Sequence, residues 1–230
     1  MVEEGEPLTT DLSLKAETKL YYDLFAPGGG AAPVLVALHG YGSNKGRMMR
    51  EARGYVPEGF AVATLQGPHQ HMKEPREKGG PLRYGFGWLT NFRPEEAVAL
   101  HHGAVLDVIE ALVARGVARR ESVFLLGFSQ SCALNYRFAF THGGSLRGVV
   151  GICGGMPGDW ETNPAYGETR ASVLHLNGTR DEFYTPERVA PYAEQLRRRA
   201  RDVETRAYDA AHEFVPEMRA DVRAWLSQRI

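Results

Sequence analysis

Short apolar runs alternate with segments of helical periodicity along most of the chain. Runs of this length, bounded by glycine or proline, are typical of strands buried on both faces of a parallel sheet. The predicted strands span residues 32–38, 60–65, 122–127, 147–153, 172–176 and 203–208. The predicted helices span residues 94–115, 132–141, 186–201 and 215–230. This alternation predicts an α/β domain with a mostly parallel central sheet flanked by helices on both faces.

The length predicts a single domain. At 230 residues, the chain fits one α/β domain, residues 1–230, in which residues 1–11 form a loose tail. Residues 12–25 alternate loosely between polar and apolar side chains, which indicates an edge strand or a hairpin. No large cap domain is expected.

Composition argues against several classes of partner. The formal net charge of −1 provides no field that would attract nucleic acid or an acidic membrane. No apolar run reaches the roughly 18 residues of a membrane helix, so we expect no stable membrane insertion. Residues 1–6 are acidic and lack the basic and apolar regions of a signal peptide. The two cysteines, Cys132 and Cys153, cannot build a disulfide framework. A cytoplasmic protein is therefore expected.

The segment Gly127-Phe128-Ser129-Gln130-Ser131 directly follows one predicted strand and precedes a predicted helix. This is the setting of the nucleophile elbow of α/β-hydrolases, usually G-x-S-x-G, in which a tight turn exposes the serine hydroxyl above the strand end. The turn needs small residues two positions before and after the serine, which Gly127 supplies and Ser131 supplies less well. Ser131 is a rival nucleophile, but it lies in the start of the helix. Ser129 is therefore the predicted nucleophile.

A serine nucleophile needs a histidine base, and in this fold the chain order is serine, acid, histidine. Three histidines follow Ser129 in the sequence. His142 ends a predicted helix and His175 lies inside a predicted strand, where a packing role is expected. His212 lies in the loop between the last strand and the last helix, which predicts it as the base.

The acid that orients the base should follow a strand between the serine and the histidine. Asp181 lies in the loop after the strand at 172–176. Asp209 is a rival, but it is too near His212 in sequence to reach the outer ring nitrogen, and the adjacent Glu182 is a second rival. Asp181 is the predicted acid.

Acyl transfer also needs two donors aimed at the oxyanion of the tetrahedral intermediate. One is expected from the backbone amide after the nucleophile, Gln130, and the other from the loop at residues 39–42, where we place it on the Tyr41 amide. The alternative is that residues 39–42 form a plain strand-to-helix turn.

Four motifs occur in order along the chain: LHGYG at 38–42, GFSQ at 127–130, NGTRD at 177–181 and AHE at 211–213. Together they resemble the phospholipase/carboxylesterase family of α/β-hydrolases, which includes acyl-protein thioesterases. The resemblance implies Ser129, Asp181 and His212 as the catalytic triad, and the amides of Tyr41 and Gln130 as oxyanion donors.

The chain departs from the family pattern at three places. Ser131 replaces the second elbow glycine, residues 43–44 stand where many members have an aspartate, and Asn177 stands where many have a histidine. These departures leave the chemistry intact and leave the substrate open.

Residues 68–92 form a long connection rich in glycine, aromatic and basic residues. Connections this long are usually functional or disordered. One hypothesis places Phe86 and Trp88 in the wall of an acyl or alcohol pocket, and the alternative is simple loop packing. Tyr184, just past Asp181, is a further candidate for the substrate-binding wall.

No metal site and no cofactor are expected. The pairs His69–His71 and His101–His102 have no carboxylate or cysteine set nearby at ligand spacing, and structural zinc sites need four ligands.

The leading hypothesis is a serine carboxylesterase that hydrolyses short- to medium-chain esters through an acyl-serine intermediate. An acyl-protein or acyl-CoA thioesterase, or a lysophospholipase, is the first alternative, because thioesters use the same machinery. From a different class, the chain is a catalytically silent binding protein on a hydrolase scaffold. The expected partner is a small-molecule ester or thioester, and a homodimer is left open.

Overall fold

The computed structural model describes residues 9–230 as nine strands and six helices. The strands are β1 (Tyr22–Phe25), β2 (Ala32–Leu38), β3 (Ala61–Leu65), β4 (His69–Lys73), β5 (Arg83–Gly87), β6 (Ala118–Phe128), β7 (Gly148–Ile152), β8 (Ser172–Gly178) and β9 (Val203–Tyr208). The helices are α1 (Lys45–Ala52), α2 (Pro94–Ala114), α3 (Gln130–Thr141), α4 (Pro186–Val189), α5 (Tyr192–Arg197) and α6 (Pro216–Ser227).

Seven strands form one sheet in the order β1-β3-β2-β6-β7-β8-β9. Strand β1 is antiparallel to β3, and every other neighbouring pair is parallel. The predicted mostly parallel sheet is therefore confirmed. Strands β4 and β5 form a separate antiparallel hairpin.

The two faces of the sheet are covered by different helices. All 7 residues of β2 are buried, and alternate side chains of a strand point to opposite faces. Val34, Val36 and Leu38 share an apolar cluster with residues of α2 and α3. Leu35 and Ala37 share a second cluster with residues of α1 and α6. Helices thus lie on both faces, as the sequence predicts.

The predicted helix at 186–201 is wrong in its continuity. The structure has two short helices there, and Pro191 stands at the N-cap of the second. Proline has no N–H to donate and its ring clashes with the preceding turn, so it interrupts a helix.

Two connections hold regular structure that the sequence did not predict. Helix α1 follows β2 and begins after Asn44, whose side chain accepts a hydrogen bond from the Arg47 N–H. Residues 68–92 contain the β4–β5 hairpin. Conversely, only Tyr22–Phe25 of the predicted strand or hairpin at 12–25 forms a strand, at the sheet edge.

The N-terminal tail predicted at residues 1–11 lies mostly outside the described residues. Residues 9–11 have no regular secondary structure.

Helix α2 is, within residues 9–230, the one helix that is long and apolar enough to cross a membrane, judged by length and composition only. The apolar runs of the sequence predict no segment of this kind. The core helix of a folded domain passes the same test, and α2 buries Val105, Ile109 and Leu112 in the cluster it shares with β2.

Gly178, the last residue of β8, permits the close approach of the loop that carries His212. A Cβ atom on Gly178 would lie 2.6 Å from the Ala211 carbonyl oxygen and closer still to that of Ala210. Both contacts are with backbone, so the loop packs directly on the end of β8.

We expect Gly178→Ala to lower the free energy of unfolding by about 1–3 kcal/mol, because the added methyl group overpacks this contact. Gly103→Ala in α2 is the control: nothing lies within 4 Å of a Cβ there, and alanine favours a helix by about 0.5–1 kcal/mol over glycine. Urea denaturation of the two variants and the parent measures both effects. Equal stability of Gly178→Ala and the parent would contradict the close contact.

Candidate active site

Ser129 lies at the turn between β6 and α3 with a backbone φ of +57°. A positive φ strains the backbone of a residue other than glycine, and such a conformation persists only where surrounding contacts enforce it. Here the Ser129 N–H donates to the Ile152 carbonyl at 3.0 Å. Gly127 lets the helix fold back closely, since a Cβ there would lie 2.7 Å from Nδ2 of Asn135. The turn thus has the strand–turn–helix geometry that the sequence predicts for a nucleophile elbow.

Ser131 is buried and braces the elbow. Its Oγ accepts a hydrogen bond from the Phe128 N–H at 2.9 Å. Its hydroxyl proton can reach the carbonyl of Leu38, at 2.9 Å, or that of Phe128, at 3.0 Å. A serine at this position therefore joins the elbow to the end of β2, which a glycine could not do.

Ser129, His212 and Asp181 form a continuous hydrogen-bonded chain. His212 Nε2 lies 2.9 Å from Ser129 Oγ, and His212 Nδ1 lies 2.8 Å from Asp181 Oδ2. Because the Asp181 carboxylate only accepts, Nδ1 carries the proton and Nε2 is free to accept from the serine. The structure brings together all three residues of the predicted triad.

The carboxylate of Asp181 is held by backbone donors. Its Oδ1 accepts from the N–H groups of Phe183 and Tyr184, each at 2.9 Å. Burial alone would raise the pKa of Asp181, but these donors and the His212 imidazole outweigh it, so the pKa lies below its ordinary value. The carboxylate is thus ionised where it accepts the hydrogen bond from the imidazole.

The alternative residues for the acid and the base lie outside this hydrogen-bonded chain. The Asp209 side chain is 85 % exposed and pairs with Arg180 at 2.6 Å, and Glu182 is exposed. His175 is buried in β8 with its Nδ1 2.8 Å from Tyr136 Oη.

His39 determines the orientation of the loop that follows β2. Its Nε2 lies 3.0 Å from the Gly67 N–H, which can only donate, so the proton is on Nδ1 and is donated to the Gly40 carbonyl at 2.8 Å. Burial lowers the pKa of His39 to about 4, despite the opposing effect of the Gly40 carbonyl. Because C=O and N–H of a trans peptide point in opposite directions, the Tyr41 N–H points away from His39.

The N–H groups of Tyr41 and Gln130 have no acceptor among the described residues. Gln130 begins α3, where the first N–H groups of a helix lack partners within it. Gly40 lies against the nucleophile, since a Cβ on it would be 3.1 Å from Ser129 Cβ. Two free donors therefore belong to the segments that flank Ser129, as predicted for an oxyanion hole.

The β4–β5 hairpin is fastened to the loop after β2. The Gly42 N–H donates to the Phe86 carbonyl at 2.9 Å, and the Phe86 N–H donates to the Ser43 carbonyl at 3.1 Å. The ring of Tyr41 stacks on that of His71, with centroids 4.4 Å apart.

Of the predicted substrate-binding residues, Trp88 is only 1 % exposed. Its indole N–H donates to the His39 carbonyl at 2.9 Å, and its backbone N–H donates to Gln130 Oε1 at 2.8 Å. It thus braces the loop after β2 instead of lining the cavity beside Ser129, which matches the loop-packing alternative. Phe86 is half-buried and contributes its backbone to the loop contact. Tyr184 is half-buried, and its ring is nearly parallel to that of His212, with centroids 5.9 Å apart.

A cavity of about 250 Å³ opens beside Ser129. It is lined by His39, Gly40, Tyr41, Ser43, Arg47, Met48, Glu51, Phe128, Ser129, His212 and Phe214. The sequence patterns do not identify Met48, Phe128 or Phe214 as lining residues, although Phe128 directly precedes Ser129 and Phe214 lies two residues after His212. A larger groove of about 440 Å³ lies between α2 and residues 18–22, and no triad residue lines it.

One group of three side chains of metal-binding type comes together within residues 9–230: Cys153, Asp181 and His212. The donors do not suit a metal ion. Asp181 and His212 already bond to each other at 2.8 Å. Burial, followed by the charge of Asp181, raises the pKa of Cys153 to about 12, so its thiol keeps its proton.

The chain is similar to known carboxylesterases in sequence and in fold. Residues 23–230 match the family model described as phospholipase/carboxylesterase. A carboxylesterase from Mesorhizobium loti is 22 % identical, with 90 % of this chain and 93 % of that chain covered and a TM-score of 0.71. The Bacillus cereus carboxylesterase is 17 % identical over 92 % of this chain and 95 % of that chain, with a TM-score of 0.71. The esterase PE8 is 18 % identical over 93 % of this chain and 100 % of that chain, with a TM-score of 0.72.

We expect Ser131→Ala to lower the free energy of unfolding by about 1–3 kcal/mol, because the partly buried Phe128 N–H loses its acceptor. Ser227→Ala is the matched control, since Ser227 Oγ makes a single hydrogen bond, to the Arg223 carbonyl, at an exposed site, where the cost should stay within about 0.5 kcal/mol. Thermal and urea unfolding measure both. If the two variants lose the same stability, Ser131 does not brace the elbow.

Proposed function

The chain belongs to the phospholipase/carboxylesterase family and is a hydrolase with the α/β-hydrolase fold, and we propose that it hydrolyses short- to medium-chain carboxylic esters through an acyl-enzyme on Ser129. The observation that carries the proposal is the chain of hydrogen bonds from Ser129 through His212 to Asp181, at 2.9 and 2.8 Å. The family match over residues 23–230 confirms the resemblance that the sequence motifs indicate.

In the first step, Ser129 Oγ attacks the ester carbonyl while His212 Nε2 takes its proton. Asp181 stabilises the imidazolium that forms, because its carboxylate accepts from Nδ1–H and stays ionised. The positive end of α3, which begins at Gln130, favours the negative charge that develops above Ser129.

The oxyanion of the tetrahedral intermediate would accept hydrogen bonds from the N–H groups of Tyr41 and Gln130. A single donor of this kind is worth about 10²–10³ in turnover. His39 supports the first donor, since its bond to the Gly40 carbonyl at 2.8 Å keeps that peptide from rotating.

The intermediate collapses when His212 returns the proton to the leaving alkoxide, so the alcohol departs and the acyl group stays on Ser129. A water molecule then repeats the sequence with His212 as base, and the carboxylic acid is released. Each proton passes through the same Nε2 atom.

The size of the cavity supports short- to medium-chain substrates. At about 250 Å³, it is smaller than the roughly 300–1,000 Å³ of sites that enclose drug-sized ligands. Met48, Phe128 and Phe214 give it an apolar wall, which suits an aliphatic chain.

We expect Ser129→Ala to abolish hydrolysis of p-nitrophenyl butyrate and labelling by a fluorophosphonate probe. Asp181→Asn should lower kcat on the order of 10⁴-fold, because it permits the wrong imidazole tautomer. Asp209→Asn, at the exposed carboxylate paired with Arg180, is the control and should retain parental turnover.

Retention of labelling in Ser129→Ala, or near-parental turnover of Asp181→Asn, would overturn these assignments. A panel of p-nitrophenyl esters and thioesters of rising chain length tests the substrate class. Faster cleavage of long-chain than of short-chain esters would contradict the proposed range.

A further inference from the structure

The β4–β5 hairpin holds an unfavourable pair of like charges. Lys73 and Arg83 lie directly opposite each other across its two strands. Like charges at opposite positions destabilise an antiparallel pair. The pair therefore works against the hairpin unless a negative charge lies nearby.

Two further guanidinium groups share this environment. Burial lowers the pKa of Lys73, and the nearby charges of Arg83, Arg47 and Arg76 lower it further. We call the side chains of Lys73, Arg83, Arg47 and Arg76 the basic rim. Among the residues that the structure describes, no carboxylate lies within 4.0 Å of any of them. The basic rim is thus a concentration of positive charge that forms no ion pair within residues 9–230.

The basic rim adjoins the reaction site. Arg47 lines the same cavity as Ser129 and His212. The ammonium group of Lys73 donates to the Gly42 carbonyl at 3.0 Å, one residue beyond the proposed oxyanion donor Tyr41. Two backbone hydrogen bonds between Phe86 and residues 42–43 hold the β4–β5 hairpin, which carries Lys73 and Arg83, against the loop after β2.

Arg47 forms no ion pair among the described residues that line the cavity. Among those residues the one carboxylate belongs to Glu51, and it pairs with Arg219 at 2.8 Å. Its charge is therefore balanced by a cation outside the basic rim, and Arg47 is left for a ligand.

We propose that the basic rim binds an anionic group, a carboxylate or a phosphate, on the ester substrate, so that the enzyme prefers anionic esters to neutral esters of the same size. Guanidinium groups present several N–H donors in a plane that matches the oxygens of both anions. A bound anion would also relieve the repulsion between Lys73 and Arg83. The inference rests on the proposed ester hydrolysis at Ser129.

Two matched pairs of esters test the preference and locate the anion. Mono-p-nitrophenyl adipate and p-nitrophenyl hexanoate differ by a carboxylate at the end of the acyl chain. The butyrate monoesters of glycerol phosphate and of glycerol differ by a phosphate on the alcohol. We expect kcat/KM to favour the anionic member of at least one pair by about tenfold, mainly through a lower KM. The preference should shrink as NaCl rises from 0.02 to about 0.5 M, because salt screens exposed charges.

Variants tie the preference to the basic rim. Arg47→Gln and Arg83→Gln remove one charge each and should lower the ratio of anionic to neutral kcat/KM several-fold. Lys73 is left unchanged because its ammonium group also donates to the Gly42 carbonyl in the loop after β2. Arg50→Gln is the control: Arg50 lies on the same helix as Arg47 but bonds to the Gly46 carbonyl, does not line the cavity, and should leave the ratio at its parental value.

The outcomes separate the two proposals. If the neutral esters are hydrolysed and neither pair shows an anionic preference, the role of the basic rim is overturned and ester hydrolysis stands. The same holds if the preference persists unchanged in both Arg47→Gln and Arg83→Gln. If no ester is hydrolysed and the fluorophosphonate does not label Ser129, the proposed function fails.

Discussion

The in-register parallel pairing of the central strands is the constraint from which the site follows. A row of paired residues runs across the sheet from Leu38 to Gly127, Gly151, His175 and Thr205. Because parallel strands share a direction, the chain leaves each strand at the same edge just beyond this row. The loop after β2, the elbow after β6 and the loops after β8 and β9 therefore meet there, although the sequence separates them by as much as 170 residues or so.

The strained backbone conformation of Ser129 is maintained by the hydrogen bonds at this edge of the sheet. The Ile152 carbonyl holds the Ser129 N–H, and the Ser131 hydroxyl links the elbow to the end of β2. Two further hydrogen bonds extend this network: the Trp88 indole N–H donates to the His39 carbonyl, and the Gly67 N–H donates to His39 Nε2. Ser129 and the N–H groups of Tyr41 and Gln130 are thus positioned by one connected network rather than by separate loops.

Much of the fold and of the triad could be predicted from the sequence because both depend on local pattern. Buried strands read as short apolar runs, and Ser129, Asp181 and His212 each follow such a run in the expected order. Nonlocal pairing could not be read in this way. The burial of Trp88 depends on the hairpin that residues 68–92 form and on its hydrogen bond to His39, 49 residues away. The juxtaposition of Lys73 and Arg83 is equally invisible in a net charge of −1, which averages over the whole surface.

The site is divided between the centre and the edge of the sheet. Ser129 is attached to the central strands, whereas the loops of Asp181 and His212 are tied to each other at the edge, where the Thr179 N–H donates to the Tyr208 carbonyl and the Arg180 N–H to the Ala210 carbonyl. The loops of acid and base therefore belong to β8 and β9, the last two strands of the sheet. Loosening of these two strands together from β7 would lengthen the contact between Ser129 and His212 while sparing the contact between His212 and Asp181. Such a local opening would leave an inactive form with an intact imidazole–carboxylate pair and a detached hydroxyl.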